Sequence, residues 1–275
     1  MFSRAKLLFI DVDLTVVVGV LSVFSCEYFM HIFGLADLHL ALGVPEKTME
    51  FFGDPWLDYH AKIKERWEAV VSSEDIVLLP GDISWAMDLS QAEKDFSFID
   101  SLPGTKYMIR GNHDYWSSAS QTKISQVLPP TIHYLSQGFA RITPQIAVVG
   151  VRLWGSPSIR LDFPTDSKED FFEKPYTEHD EKIFLREVNR LQKAFAMIPQ
   201  DVEKVIVMTH YPPISRDGSP GPVSEILESD GRVSICLFGH LHKISNPISG
   251  FGKIRDIKYI LVAADYVDFI PQAIL

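Results

Sequence analysis

Nine residues of ligating or proton-transferring type stand in five short polar segments, each following an apolar run. They are Asp37 and His39 in ADLH, Asp82 in PGDI, Asn112, His113 and Asp114 in RGNHD, His210 in MTHYPP, and His240 and His242 in FGHLH. Loops that leave strand ends are where α/β folds gather groups from distant parts of a chain. In an extended segment, residues two apart project to the same side, so Asp37 with His39, and His240 with His242, can each face one site together. Seven of the nine, namely two carboxylates, four imidazoles and one amide, exceed what one first-row cation takes and suit two. Mn²⁺, Fe²⁺ and Zn²⁺ accept this mixture of nitrogen and oxygen. The two cysteines, Cys26 and Cys236, form no paired motif of the kind a thiolate zinc site needs. Paired ions roughly 3.5–4 Å apart suit in-line attack at phosphorus. The expected chemistry is therefore on phosphate esters.

The elements that must position these groups alternate in type. Apolar runs predict strands at His31–Leu35, Ile76–Leu79 and Lys106–Ile109. Between them, a helix is predicted over Glu46–Val71, with Trp56, Tyr59, Ile63, Trp67 and Val70 spaced at threes and fours, and another over Ser90–Ser101, ended by Pro103-Gly104. The runs Ile132–Leu135, Phe139–Ile142 and Ile146–Val151 predict a second sheet with antiparallel pairing. Gly155–Pro175, rich in proline and charge, reads as an inserted loop or lid. Glu178–Ala196 reads as an amphipathic surface helix with Ile183, Leu185, Val188, Leu191 and Phe195 inward, its acidic start suited to the helix dipole. Strands follow at Lys204–Met208 and Ser234–Phe238, each ending in a histidine-bearing loop, and two β-like stretches, Ile257–Ala263 and Tyr266–Ile270, close the chain.

Composition narrows the classes further. Of 275 residues, 46% are hydrophobic and 23% charged, without repeats or low-complexity runs, as expected for one sizeable globular core. The net charge is 26 − 36 = −10 and the basic residues are scattered, which argues against a surface that tracks duplex nucleic acid. A phosphorylated small molecule or other phosphoester fits better as partner. Two cysteines imply no disulfide framework, so a reducing, cytoplasmic setting is expected. Residues 1–29 stand apart. Leu14–Phe24 is apolar behind Arg4 and Lys6, as in a secretory leader, yet Asp11 and Asp13 interrupt the apolar run, which falls short of the roughly 20 residues that span a bilayer. The expectation is a leader, or a start codon placed too early, ahead of a single domain over 30–275, with export or membrane attachment as the lesser alternative.

In order, DLH, GDISW, GNHDYW, THYPP and GHLH resemble the motif series of the calcineurin-like metallophosphoesterases. Within that superfamily, the GNHDYW form, the RLWGSP loop and the helix after Glu178 are closest to a group of uncharacterised prokaryotic phosphohydrolases. The ordered set is specific where a lone GD or H-x-H is not. The resemblance implies a four-layer αββα sandwich of two mostly mixed sheets flanked by helices. It further implies that Asp37, His39 and His242 bind one divalent ion, most readily Mn²⁺, that Asn112, His210 and His240 bind a second, and that Asp82 bridges them. A metal-bridging hydroxide would be the nucleophile, His113 the general acid with Asp114 orienting its ring, and Arg110 a clamp on a phosphate oxygen. A catalytically weak metal-binding scaffold of the same fold is the alternative.

A competing resemblance lies upstream. Phe9–Thr15 (FIDVDLT) is similar to the opening motif of the haloacid dehalogenase superfamily, in which Asp11 would be the nucleophile and Asp13 the acid/base. The rest of that pattern is not met: Leu14 replaces the customary glycine, and the acidic pair Asp82 and Asp88 is too widely spaced. The strand at HIFGL also opens the other series too soon to leave room for that fold's cap. FIDVDLT is therefore read as a decoy.

Overall fold

The short apolar runs become strands buried on both faces, as expected where helices cover the outside of each sheet. The computed structural model describes residues 30–136, 138–161, 175–244 and 251–275. The FIDVDLT segment and the middle of the Gly155–Pro175 loop lie outside the described residues.

The first sheet has five strands in the order β11-β1-β2-β3-β4: Gln272–Ala273, Ile32–Gly34, Ile76–Leu79, Thr105–Met108 and Ile132–Tyr134. Neighbours among β1 to β4 are parallel, and β11 is antiparallel to β1. The second sheet has six strands in the order β5-β6-β7-β8-β10-β9: Gly138–Arg141, Ile146–Val151, Lys204–Thr209, Val233–Phe238, Ile257–Leu261 and Gly252–Ile254. Its β6, β7, β8 and β10 run parallel, with antiparallel β5 and β9 at the edges. Both sheets are mixed, as expected.

On the first sheet, Phe33, Val77, Leu79 and Met108 pack with α1 (Tyr59–Val70) and α2 (Leu89–Ser101), through Tyr59, Ile63 and Trp67 of α1 and Phe96 and Ile99 of α2. On the second, Val149, Val207, Cys236 and Tyr259 pack with α4 (Glu178–Ala196) and α5 (Pro222–Ser229). A further helix, α3, spans Gln121–Val127. Alternate strand residues such as Ile32, Leu78, Ile206 and Leu237 are also buried, and they lie between the sheets. A Cβ on Gly34 would stand 3.0 Å from Leu237 Cδ1, and one on Gly150 only 2.4 Å from Ile109 Cγ2, so glycine lets the sheets close upon each other.

The elements depart from the periodicity in four places. The helix expected over Glu46–Val71 forms only from Tyr59, because Pro45, Gly53 and Pro55 break the earlier part into 3₁₀ turns at Pro45–Lys47 and Met49–Phe52. Ile132–Tyr134 joins the first sheet beside β3 rather than pairing in the second. Tyr266–Ile270 is a set of turns, with Asp268 and Phe269 at positive φ. The helix over Glu178–Ala196 forms as expected, with a Thr177–Asp180 capping box. However, it buries Phe184, Glu187, Leu191 and Ala194 and leaves Leu185 54% exposed. Among the described residues no helix is long and apolar enough to cross a membrane.

Candidate metal centre

The ligating residues follow β1, β2, β3, β7 and β8, all at the C-terminal ends of strands. Turning sharply off each strand requires unusual backbone. Asp37, His39, Asp82 and His240 all take positive φ, between 46° and 71°. Non-glycine residues rarely do so, and such strain persists where surrounding contacts over-determine it. Asp37 N donates to Gly81 O, His39 N to Asp82 O, and Tyr59 Oη to His39 O at 2.9 Å. The glycines before two ligands are required by space alone. A Cβ on Gly111 would lie 2.0 Å from Asp82 Oδ1, and one on Gly239 would lie 2.2 Å from Asp37 Oδ2. The GN and GH dipeptides of the motifs thus let one loop touch the carboxylate of another.

Two groups of donor atoms result, Asp37 with His39 and His242, and Asp37 with Asp82 and His210, the atoms of each lying within 4.8 Å of one another. Asp82 Oδ2 lies 3.7 Å from His39 Nε2 and 3.5 Å from His210 Nε2, so it reaches a histidine of each expected set. Asp37 is itself common to both groups. Asn112 Oδ1 lies 2.7 Å from His210 Nε2, and the His240 ring is 5.1 Å from the His210 ring. The structure therefore brings all seven expected ligands to one place.

Hydrogen bonding decides which ring nitrogens face inward. His210 Nδ1 is 3.0 Å from the Pro80 carbonyl, which only accepts, so Nδ1 carries the proton and the Nε2 lone pair points at Asn112. His242 Nδ1 is 2.9 Å from Asp265 Oδ1, which turns its Nε2 toward His39 Nε2 at 3.2 Å. Burial pushes His210 down to about 3, and burial together with neighbouring histidines holds His39 and His240 well below the usual range. His242 is opposite: burial lowers it, but Asp265, Asp37 and Asp82 outweigh that and raise it to about 9. Burial also raises Asp37 and Asp82. Without a cation the buried carboxylates draw a proton onto His242, whose Nε2 faces His39 Nε2; divalent cations in this volume would supply that positive charge instead.

Asp265 was not among the residues expected from the sequence, since it stands in AADY after β10 with no motif to mark it. It fixes the His242 ring from behind and accepts from Lys243 N at 3.1 Å. His113 lies beside the cluster, with its ring 5.6 Å from His39 and 4.2 Å from Trp85, and its N donates to Asp82 Oδ1 at 2.9 Å. Asp114 does not orient that ring. Asp114 Oδ1 accepts from Ile83 N, Ser84 N and Trp116 Nε1 at 2.9–3.0 Å, and Oδ2 accepts from Gly111 N at 2.7 Å, while His113 Nδ1 is buried without a partner among the described residues. Asp114 ties the β2 and β3 loops together instead, because four N–H groups outcompete one adjacent imidazole. Arg110 Nη2 lies 3.6 Å from Glu187 of α4.

A family model for calcineurin-like phosphoesterases matches residues 30–244, and the chain belongs to that family. It is a hydrolase of the kind that acts on phosphoester bonds. A search of curated proteins gives no match. Among solved structures, a phosphopantetheinyl hydrolase from Mycobacterium tuberculosis aligns at 11% identity and TM-score 0.51, over 89% of this chain and 95% of that one. A protein of unknown function from Aquifex aeolicus aligns at 15% identity and TM-score 0.46, over 89% and 96%. The likeness to the hydrolase concerns the fold alone.

Proposed function

We propose that the chain hydrolyses a phosphomonoester or phosphodiester of a small molecule, with two divalent cations held in the centre. The convergence of buried carboxylate and imidazole donor atoms in two groups that share Asp37, the atoms of each within 4.8 Å of one another, carries this reading, because such a mixture of nitrogen and oxygen donors suits divalent cations. Asp37, His39 and His242 would hold one ion, Asn112, His210 and His240 the other, with Asp82 between them. When bound, the ions supply Lewis acidity at phosphoryl oxygens and lower the pKa of water toward neutrality. Mn²⁺ is the ion proposed, with Fe²⁺ and Zn²⁺ suited to the same donors.

The chain's own groups do the rest. Pro80 O and Asp265 hold the His210 and His242 rings so that their lone pairs need no reorientation when substrate arrives. His113, next to the cluster, is the group to protonate the leaving oxygen, and Arg110 the group to pair with a phosphoryl oxygen. The cytoplasm is the proposed compartment, in keeping with a buried free thiol at Cys236.

The test is turnover of p-nitrophenyl phosphate and its bis ester with added Mn²⁺. Hydrolysis is expected to be lost in Asp82→Ala and in excess chelator. Wild-type turnover no better than that of Asp82→Ala would leave the scaffold reading, and turnover surviving in chelator would overturn metal dependence. We further propose that residues 1–29 are dispensable. A chain beginning at Met30 should retain activity, and loss of activity with the fold intact would return Asp11 to consideration.

A further inference from the structure

Glu187 occupies a position on α4 where the helix otherwise buries apolar residues, and it is 1% exposed. Three arginines from three elements meet its Oε1. Arg190, one turn along α4, donates to it; Arg110 Nη2 lies 3.6 Å away and Arg152 Nη2 4.0 Å away. One carboxylate against three guanidinium groups leaves two positive charges in excess within this contact set. Arg152 is only 13% exposed, is stacked 4.7 Å from the Trp154 ring, and has a buried Nε–H without a partner among the described residues. Toward the start of α4, Glu181 already accepts from Tyr176 Oη, and Asp180 from Thr177 and from Trp154 Nε1. Arg110 and Arg190 reach solvent, whereas the largely buried Arg152 charge is costly to hold there unless an anion completes it.

The cluster adjoins the metal centre through the chain itself. Arg110 directly precedes Gly111 and Asn112, and the Arg152 carbonyl accepts from His210 N at 3.2 Å and Tyr211 N at 3.0 Å. A run of aromatic rings joins the two sites, with Trp154 5.2 Å from Tyr211 and Tyr211 4.1 Å from His240. In a chain of net charge −10, this excess is placed beside the centre suited to phosphorus. Guanidinium forks match phosphoryl oxygens in shape as well as charge.

Resting on the phosphoesterase reading, we propose that Arg152 and Arg190 seat a second, non-reacting phosphoryl group beside the one that Arg110 pairs with, so that the substrate carries two adjoining phosphoryl groups, as in a diphosphate. Glu187 is then a positioning residue. It gathers the three arginines while leaving their outer N–H groups for the anion, and it keeps the seat from collapsing by mutual repulsion when no substrate is present.

The test has two arms. In the first, inorganic pyrophosphate is titrated calorimetrically into the full-length chain in excess chelator. One-to-one binding is expected, weakened at least tenfold in Arg152→Gln and in Arg190→Gln, with partial recovery in Arg190→Lys; thermal melting checks that each variant is folded. Absence of binding, or affinity unchanged in both glutamine variants, overturns the proposal. In the second arm, metal-loaded protein is given ADP and p-nitrophenyl phosphate. Arg190→Gln should lower kcat/KM for the diphosphate at least tenfold more than for the monoester, mainly through KM. Equal losses on the two substrates overturn the proposal. Wild type that binds pyrophosphate but hydrolyses neither substrate would instead sink the phosphoesterase reading and leave the anion seat standing.

Discussion

Strand β2 is bracketed by two buried aspartates, Asp75 before it and Asp82 after it, and they do opposite things. Asp75, 3% exposed, accepts from His31 N, Ser72 N and Ser72 Oγ, each at 2.8 Å. Burial alone would raise its pKa, but those bonds and the neighbouring His31 bring it below the usual value. Asp82, 1% exposed, accepts from His113 N, takes positive φ, and faces imidazole nitrogens 3.5 and 3.7 Å away. Burial raises its pKa and its partners do not make good the loss. The fold stabilises one carboxylate for its own sake. It holds the other where burial disfavours its charge despite its hydrogen bonds, which suits a cation site.

The contrast can be broken most directly at Asp82. Asp82→Asn should take hydrolysis of p-nitrophenyl phosphate to background, while the metal-free variant melts at or above the temperature of metal-free wild type, since a charge disfavoured by the fold has gone. A lower melting temperature would mean that Asp82 is structural after all. Next in size, His113→Ala should lower kcat about 10²–10⁴-fold on an alkyl phosphate. The loss should be smaller on p-nitrophenyl phosphate, whose leaving group needs no proton, and equal losses on both would remove His113 as the acid.

Asp265→Asn should weaken metal binding about 10–100-fold by direct titration, with every first ligand still present. Smallest is Asp75→Ala, expected to destabilise by about 1–3 kcal/mol in denaturant at neutral pH through unsatisfied donors. Because the folded pKa of Asp75 lies below its unfolded value of 3.8, its contribution is complete above that value and is lost as pH falls through the folded value. The gap between variant and wild type should therefore close in acid, while activity per folded molecule stays the same.

Much of the centre was legible in the sequence because each motif is local. A ligand two residues from another, or directly after a glycine that permits close approach, carries its geometry in a few consecutive positions, as in DLH, GNH and GHLH. Asp265 carried no such mark; only the return of β10 beside β8 brings it behind His242. Asp114 misled for a related reason. Adjacency to His113 suggested contact, yet its hydrogen bonds reach back some thirty residues to Ile83 and Ser84. Glu187 read as one polar residue on a surface helix, and its burial depends on arginines at 110 and 152 that lie far away in sequence.

By itself, then, the sequence determined the ligand types, their order along the chain, the two-sheet class and the helix from Glu178, since these follow from short-range spacing, apolar periodicity and capping. Tertiary structure alone decided which sheet receives Ile132–Tyr134, which nitrogen of His210 and of His242 faces inward, and that three arginines share one buried carboxylate. Those outcomes depend on which groups from distant segments compete for the same donor, acceptor or charge, and that competition is settled only when the strands are laid side by side.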